Sequence, residues 1–457
     1  MFILPISIIR LFAPFSCCFS APGLKKAMNL FCGVALSPGR RTVAAALRVL
    51  GLVSDQKFGK YHRLLYRDRW SALRLSKALL TLLLATFPLP DDIITILVDE
   101  TYERRNGKKI AYKGWFRDPV RSSDGNVVTT QAVRWLVFCV LVSVPWSSRP
   151  WALPFLTLPI RSLKTCKKSH RPHQSSVAWT ENVVALLRRW LGDRPIRLIA
   201  DGGFTALDLV CWNQDRKVVH VGRLRHDAGL YNPIPTQPKS KRGRKPKKGS
   251  KQKSLDERAA DPNTAWRNVE IVQYNGQKQS VQITDGVSLW FVTGAKRAAE
   301  IRWVMIRNAE NPDKIAVFFS SDANISATKI VELYAKRWNI EIFFEEVRAC
   351  LGFETQRGWS NLTIGRTTPC LFGCFSLIVV LAKKLHPERL PVRQTAWYEK
   401  DNATFRDVLA VVREHIWHWK LFGEANTNYP MSDKTHDNVL IPWATIAPLH
   451  EIACYAM

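Results

Sequence analysis

None of the chain's ten cysteines pairs at C-x-x-C spacing, which excludes the usual zinc-ribbon and redox motifs. They are scattered at Cys17, Cys18, Cys32, Cys139, Cys166, Cys211, Cys350, Cys370, Cys374 and Cys454. Cys370 and Cys374 stand one helical turn apart in an apolar run, a core-packing position. The reading is reduced thiols and a cytoplasmic location. Long hydrophobic runs are also missing. Leu136 to Val144 and Leu371 to Ala382 are too short to span a bilayer comfortably, so they read as a buried strand and a buried helix, with no membrane partner. The opening MFILPISIIRLFAPFSCCFSAP imitates a signal peptide. No basic segment precedes its apolar part, however, and Arg10 and two prolines interrupt it.

Acidic charge is scarce. Thirty-eight Asp and Glu stand against 67 Lys and Arg, a net charge of +29. That excess implies self-repulsion and points to a polyanionic partner, nucleic acid before an anionic membrane surface. With 46% hydrophobic residues over 457 positions the chain is globular, and it is long enough for more than one structural unit.

Residues 1 to about 85 read as helices. SPGRRTVAAALRVLGL and WSALRLSKALLTLLLATF carry apolar residues at helical spacing. Arg40, Arg41, Lys57, Lys60, His62, Arg63, Arg67 and Arg69 line the polar sides, as a DNA-touching domain or an ordinary solvated face would. From Asp91 the pattern alternates. ITILVDE, TTQAVRWLVFCVLVSV, RPIRLIADGGF and VVHVGRLR read as strands, with ENVVALLRRWL as an amphipathic helix, so an α/β core is expected. Lys239 to Lys253, KSKRGRKPKKGSKQK, holds nine positive residues in fifteen and no acid; it reads as disordered when free and as a clamp for phosphate backbone. VEIVQY and SVQIT flank Asn275-Gly276, a strong hairpin signal, and SLWFVTG, RWVMIR and IAVFFSS continue as strands.

The stretch YAKRWNIEIFFEEVRACLGFE, Tyr334 to Glu354, reads as one helix. Tyr334, Arg337, Glu341 and Arg348 fall at spacings of 3, 4 and 7, near one helical face. An aromatic, two guanidinium groups and a carboxylate do not make a core face. Asp99 ends ITILVD and Asp201 ends IRLIAD, and an acid closing a buried strand sits where ligands collect. With Glu341 these supply three hard oxygen donors, the set that Mg²⁺ prefers (Mn²⁺ is possible). Two such ions suit phosphodiester chemistry. Glu100, Glu345, Glu346 and Asp322 are rival ligands that spacing does not exclude.

These residues carry a resemblance. Tyr334, Arg337 and Glu341 fit Tyr-x2-Arg-x3-Glu-x6-Lys, the YREK pattern of bacterial insertion-sequence transposases of the DDE class, with Arg348 in place of the Lys. VDET and IADGGF are similar to the first- and second-aspartate motifs of that group. ERRNGKKIAYKGWFRDPVRSS, LSPGRRTVAAALRVLGL and HVGRLRHDAGLYNP also resemble it, so the likeness covers roughly residues 35 to 420.

The resemblance implies a ribonuclease-H-like mixed sheet with flanking helices, interrupted by a β-rich insertion, and an all-α N-terminal domain. The implied division is 1–88, helical and DNA-binding; 89–225, first part of the catalytic core; 226–310, β-rich insertion with the basic loop; 311–390, second part of the core; and 391–457, a helical C-terminal region. Asp99, Asp201 and Glu341 would be the catalytic and metal-binding triad. Tyr334, Arg337 and Arg348 would contact DNA near the cut, with Lys241, Arg242, Arg244, Lys245, Lys247 and Lys248 on the backbone. Trp290 and Trp303 are candidates for holding a flipped base, although their strand context reads as core. The implied function is metal-dependent cleavage of DNA at element ends and strand transfer into target DNA. Terminal inverted repeats would be the substrate, a homodimer the assembly, and the bacterial nucleoid the location. A degenerate or domesticated DNA-binding protein on the same scaffold, or a ribonuclease-H-like nuclease without strand transfer, is the alternative.

Overall fold

The structure is a computed structural model that describes residues 3–118, 121–123, 125–168, 170–234, 246–308, 310–397, 399–422 and 452–455. Five helices lead: α1 (Ile6–Phe12), α2 (Ala21–Leu36), α3 (Val43–Val49), α4 (Gly59–Tyr66) and α5 (Ala72–Thr86). Then come β1 (Ile94–Arg104), β2 (Gly114–Arg117), β3 (Thr129–Val142), β4 (Trp151–Ile160), α6 (Leu163–Lys168), α7 (Ser176–Leu191), β5 (Ile196–Ala200), α8 (Leu207–Asp215) and β6 (Val218–Arg223). The middle of the chain adds β7 (Leu230–Tyr231), α9 (Leu255–Ala260), β8 (Arg267–Val272), β9 (Lys278–Trp290), β10 (Ala299–Asn308) and β11 (Asn311–Ser320). The last helices are α10 (Ala327–Ala335), α11 (Trp338–Leu351), α12 (Asn361–Leu385) and α13 (Phe405–Phe422).

Helix starts follow local chemistry. The side chains of Ser20, Thr42, Ser71, Ser175, Ser326 and Ser360 each accept a backbone N–H at the start of α2, α3, α5, α7, α10 and α12. Each satisfies a donor that the first helical turn leaves free.

The strands form one mixed sheet. Its first half runs β4-β3-β1-β5-β6, antiparallel from β4 to β1 and parallel from β1 to β6. This is a ribonuclease-H-like core, as expected. Parallel pairing needs crossovers, which α7 and α8 supply. The β-rich segment does not stand apart, however. Phe318 to Ser320 of β11 pair antiparallel with Val221 to Arg223 of β6, and β10, β9, β8 and β7 follow, so the insertion extends the core sheet to eleven strands. The Asn275-Gly276 hairpin is present, with Gly276 at φ +84°, while SVQIT and SLW merge into one strand, β9.

The N-terminal helices share one hydrophobic core with the sheet, α12 and α13, rather than forming a detached domain. Arg41, read as lining a polar face, is buried and donates to the carbonyls of Gly39 and Cys350. The apolar run at Leu371 to Ala382 belongs to a longer helix than expected. By length and composition alone α12 could cross a membrane, yet 67% of its apolar window is buried inside this fold. All ten cysteines are free.

Gly352 closes α11 at φ +58°, and a Cβ there would meet the Gly39 carbonyl oxygen at 2.6 Å. The N-terminal segment thus depends on a bare backbone at this helix end. Gly352→Ala is expected to cost about 1–3 kcal/mol, seen as a lower melting temperature. An unchanged melting temperature would contradict this close approach.

Candidate active site

Strand register brings two acids together. Val98 of β1 pairs with Ala200 of β5 in parallel, so the next residues, Asp99 and Asp201, stand side by side on one face. Neighbouring strands lie about 4.8 Å apart. Asp201 directly follows β5, in extended conformation, and its Oδ1 accepts the Gly203 N–H at 2.7 Å. Asp99 departs from expectation: it does not end its strand. β1 continues to Arg104 because β3 keeps pairing with it, Asp99 to Val137 and onward to Arg104 with Ala132.

The third acid arrives from above the sheet. The guanidinium of Arg337 donates to Asp99 Oδ2 at 2.8 Å and to Glu341 Oε1 at 2.5 Å. One buried cation thus draws carboxylates of β1 and α11 to a single point. The helix carrying it also departs from expectation. Tyr334 lies in α10 and Glu341 in α11, and the chain turns between them at Lys336 and Arg337, where Arg337 N donates to Tyr334 O and Ile340 N to Arg337 O. Three-residue bonds tighten the chain here.

The charges are strongly coupled. Burial pushes the Asp99 carboxyl up to about 7; Arg337 opposes the rise, and the charges of Asp201 and Glu341 add to it. Burial works against the Arg337 charge, but Asp99, Tyr334 and Glu341 outweigh it and raise its pKa. Tyr334 stacks on Phe318 with ring centroids 4.4 Å apart, and the Arg337 guanidinium sits 5.6 Å from its ring. Burial raises the Tyr334 phenol, with the charges of Arg337 and Arg223 acting against it and that of Asp201 with it.

Three carboxylates on one face are a fitting donor set for a hard divalent cation, and the Arg337 guanidinium stands among them as a counter-cation. Asp201 Oδ2 and Glu341 Oε2 have no hydrogen-bond partner among the described residues. With Arg337 in place the acids are not a closed cage: among the described residues no group of three or more His, Cys, Asp or Glu is placed to hold a metal ion.

The other expected DNA contacts fare differently. Arg348 donates to Thr101 Oγ1 at 2.6 Å, lies 3.4 Å from Glu354, and so braces β1 rather than facing outward. Arg337 is likewise engaged. Lys241, Arg242, Arg244 and Lys245 lie outside the described residues. Lys247 donates to the Ala295 carbonyl at 2.7 Å, and the Lys248 ammonium sits 3.7 Å from the Tyr231 ring centroid, so this end of the basic run is pinned to the sheet. Trp290 and Trp303 are core residues, 5% and 3% exposed. Trp338, half exposed at the start of α11, instead packs on Tyr274 from the hairpin turn, rings 5.9 Å apart. Sequence reasoning passed over it; its place three residues before Glu341 was the available signal.

Three of the four rival ligands have other partners, and Glu345 is exposed. Glu100 meets Arg134 at 3.5 Å and the Ser176 hydroxyl. Asp322 Oδ1 accepts Asn324 N at 3.0 Å within a turn. Glu346 turns to the start of α13, where it accepts Phe405 N at 3.3 Å. Burial pushes Glu346 up to about 7, against the Phe405 amide and Arg149, with Glu345 and Asp407 adding to the rise.

The family model described as "DDE superfamily endonuclease" matches residues 14–288, a span that includes Asp99 and Asp201 and ends before Glu341. Among solved structures the chain is similar to piggyBac transposase in its cryo-EM synaptic complex with hairpin DNA, at 11% identity and a TM-score of 0.41 over 96% of this chain and 84% of that one. No curated protein matches the chain.

Because its folded pKa is raised, Glu346 lowers stability progressively as pH climbs from about 4.5 to about 7, and by a constant amount above that. Glu346→Gln is therefore expected to melt higher than the parent at pH 8. The advantage should shrink below pH 7 and vanish near pH 4, as measured by thermal denaturation across pH.

Proposed function

The chain belongs to the DDE superfamily of endonucleases, and we propose that it is a transposase of the bacterial insertion-sequence type, cutting DNA at element ends and joining them to target DNA. The observation that carries this reading is that Asp99 and Asp201 stand side by side on neighbouring strands while Arg337 joins Asp99 to Glu341 of α11. Acids held this close repel one another and need a cation.

In this reading Asp99, Asp201 and Glu341 hold Mg²⁺ or Mn²⁺, which when bound would activate the attacking oxygen and stabilise the leaving one. The rest falls to the chain. Asp201 is oriented by the Gly203 amide and Asp99 by the Glu100 amide. Such fixed orientation makes positioning and electrostatics the main source of rate in phosphoryl transfer. In cleavage a water oxygen bonds to phosphorus while the bond to the 3′-oxygen breaks, leaving a 3′-hydroxyl and a 5′-phosphate. In strand transfer that hydroxyl bonds to a target phosphorus and displaces its 3′-oxygen. Deprotonated Asp99 is required to hold the cation, and burial, which raises its pKa, opposes metal loading below neutral pH.

The N-terminal helical region exposes Arg40, Lys57, His62, Arg63, Arg67 and Arg69, on α4 and in the connections between helices. Together with the net charge of +29 this supports contact with DNA. The reading takes terminal inverted repeats and target sites as that DNA, a homodimer as the assembly and the bacterial cytoplasm as the location. Asp201→Ala in purified protein, given Mg²⁺ and plasmid bearing the flanking inverted repeats, is expected to lose cleavage by about a thousandfold or more. Cleavage at the parent rate would remove Asp201 from the site. Cleavage without joined product would favour a nuclease lacking strand transfer, and binding without cleavage in the parent a degenerate scaffold.

A further inference from the structure

The row of residues that aligns Asp99 with Asp201 continues across the sheet. Ile199 of β5 pairs in parallel with Val221 of β6, and that register carried two residues past the last pair sets Asp201, extended just beyond β5, beside Arg223 on the same face. Arg223 in turn lies opposite Phe318 of β11, on which Tyr334 stacks. Asp99, Asp201, Arg223 and Phe318 therefore form one lateral line of two acids, a guanidinium and a ring, spaced at about 4.8 Å per strand.

No ion pair or hydrogen bond among the described residues engages this guanidinium, whose charge acts on the Tyr334 phenol. Arg337 and Arg348 both have carboxylate partners. Arg223 is exposed, and among the described residues its side chain makes no ion pair or hydrogen bond. Its backbone is fixed nonetheless: Thr205 Oγ1 donates to the Arg223 carbonyl at 2.6 Å, so the turn that follows Asp201 is tied to the same strand end. The edge between acid and base is clear. A Cβ at Gly202 would meet only the Arg223 Cβ, at 4.0 Å. Neither Asp201 nor Glu341 draws Arg223 into a bridge, although both are acids of the same face.

We propose that Arg223 contacts the phosphate being cut, as a guanidinium fork that takes its non-bridging oxygens from the side opposite Asp99. Arginine suits this task because its planar donors match phosphate oxygens in pairs. Placed beside the acids, the fork meets charge that grows on the phosphate during displacement. Its contribution is therefore to rate more than to affinity.

The proposal rests on the nuclease reading, and the test separates the two. Parent, Asp201→Ala, Arg223→Ala, Arg223→Gln and Arg223→Lys proteins are compared in single-turnover cleavage of plasmid bearing the flanking repeats with Mg²⁺. Affinity for a duplex carrying one repeat is measured by fluorescence anisotropy with Ca²⁺ in place of Mg²⁺, and folding by thermal denaturation. Arg223→Ala and Arg223→Gln are expected to slow cleavage about a hundredfold, with affinity within about threefold of the parent and the melting temperature unchanged. Arg223→Lys should recover part of the rate, since it keeps charge but loses the fork. Cleavage by both Arg223→Ala and Arg223→Gln at the parent rate, with Asp201→Ala inactive, overturns the proposal alone. Equal losses of rate and affinity overturn it too, because they mark an ordinary backbone contact. Equal cleavage by parent and Asp201→Ala overturns the nuclease reading itself.

Discussion

One guanidinium holds the site together. Asp99 sits in a sheet and Glu341 on a helix, 242 residues apart in the chain, and Arg337 bonds to both. Burial is the main cause of the raised Asp99 pKa, with the charges of Asp201 and Glu341 adding to it, and Arg337 opposes that rise. Removing one partner of such a group leaves an uncompensated buried charge, among the costlier changes a fold can suffer. The turn between α10 and α11 places Arg337 where it reaches both acids, and the stacking of Tyr334 on Phe318 anchors the preceding helix to the extended sheet.

That sheet makes the arrangement rigid. Pairing of β6 with β11 joins the core to the strands of the insertion, so Asp99, Asp201 and the ring under Tyr334 belong to one continuous surface. The helical N-terminus is packed into the same core through α2, α4, α5 and α12, with Arg366 donating to the carbonyls of Leu64 and Trp70 across the contact. Basic residues in this protein thus serve two ends. Arg41, Arg366 and Arg413 satisfy buried carbonyls, while Arg40, Arg63, Arg67 and Arg223 remain exposed.

Much of this was legible in the sequence, and the failures have physical causes. Apolar runs marked β1, β3, β5 and β6, because these strands are buried on both faces of the sheet. IADGG placed Asp201 at a strand end because the polar turn follows at once. ITILVDE gave no comparable sign for Asp99, since β1 is prolonged by β3, a partner some forty residues away in sequence. The attachment of β11 to β6 spans about a hundred residues and has no local signature. Charge counting found the basic excess but could not tell which arginines bond inward. The break at Arg337 was hidden because no Pro or Gly marks it. Arg223 was read only as strand text, and counting register from Asp201 was the step that would have singled it out.

The central claim is that Asp99, Asp201 and Glu341 form one cation site for which Arg337 stands in. Crystals of the protein grown with Mn²⁺ test it through the anomalous scattering of manganese. The account predicts a peak among the three carboxylates, with the Arg337 guanidinium withdrawn from Asp99. Manganese bound elsewhere, or a saturated crystal in which Arg337 still bridges Asp99 and Glu341 with no peak between them, would contradict it.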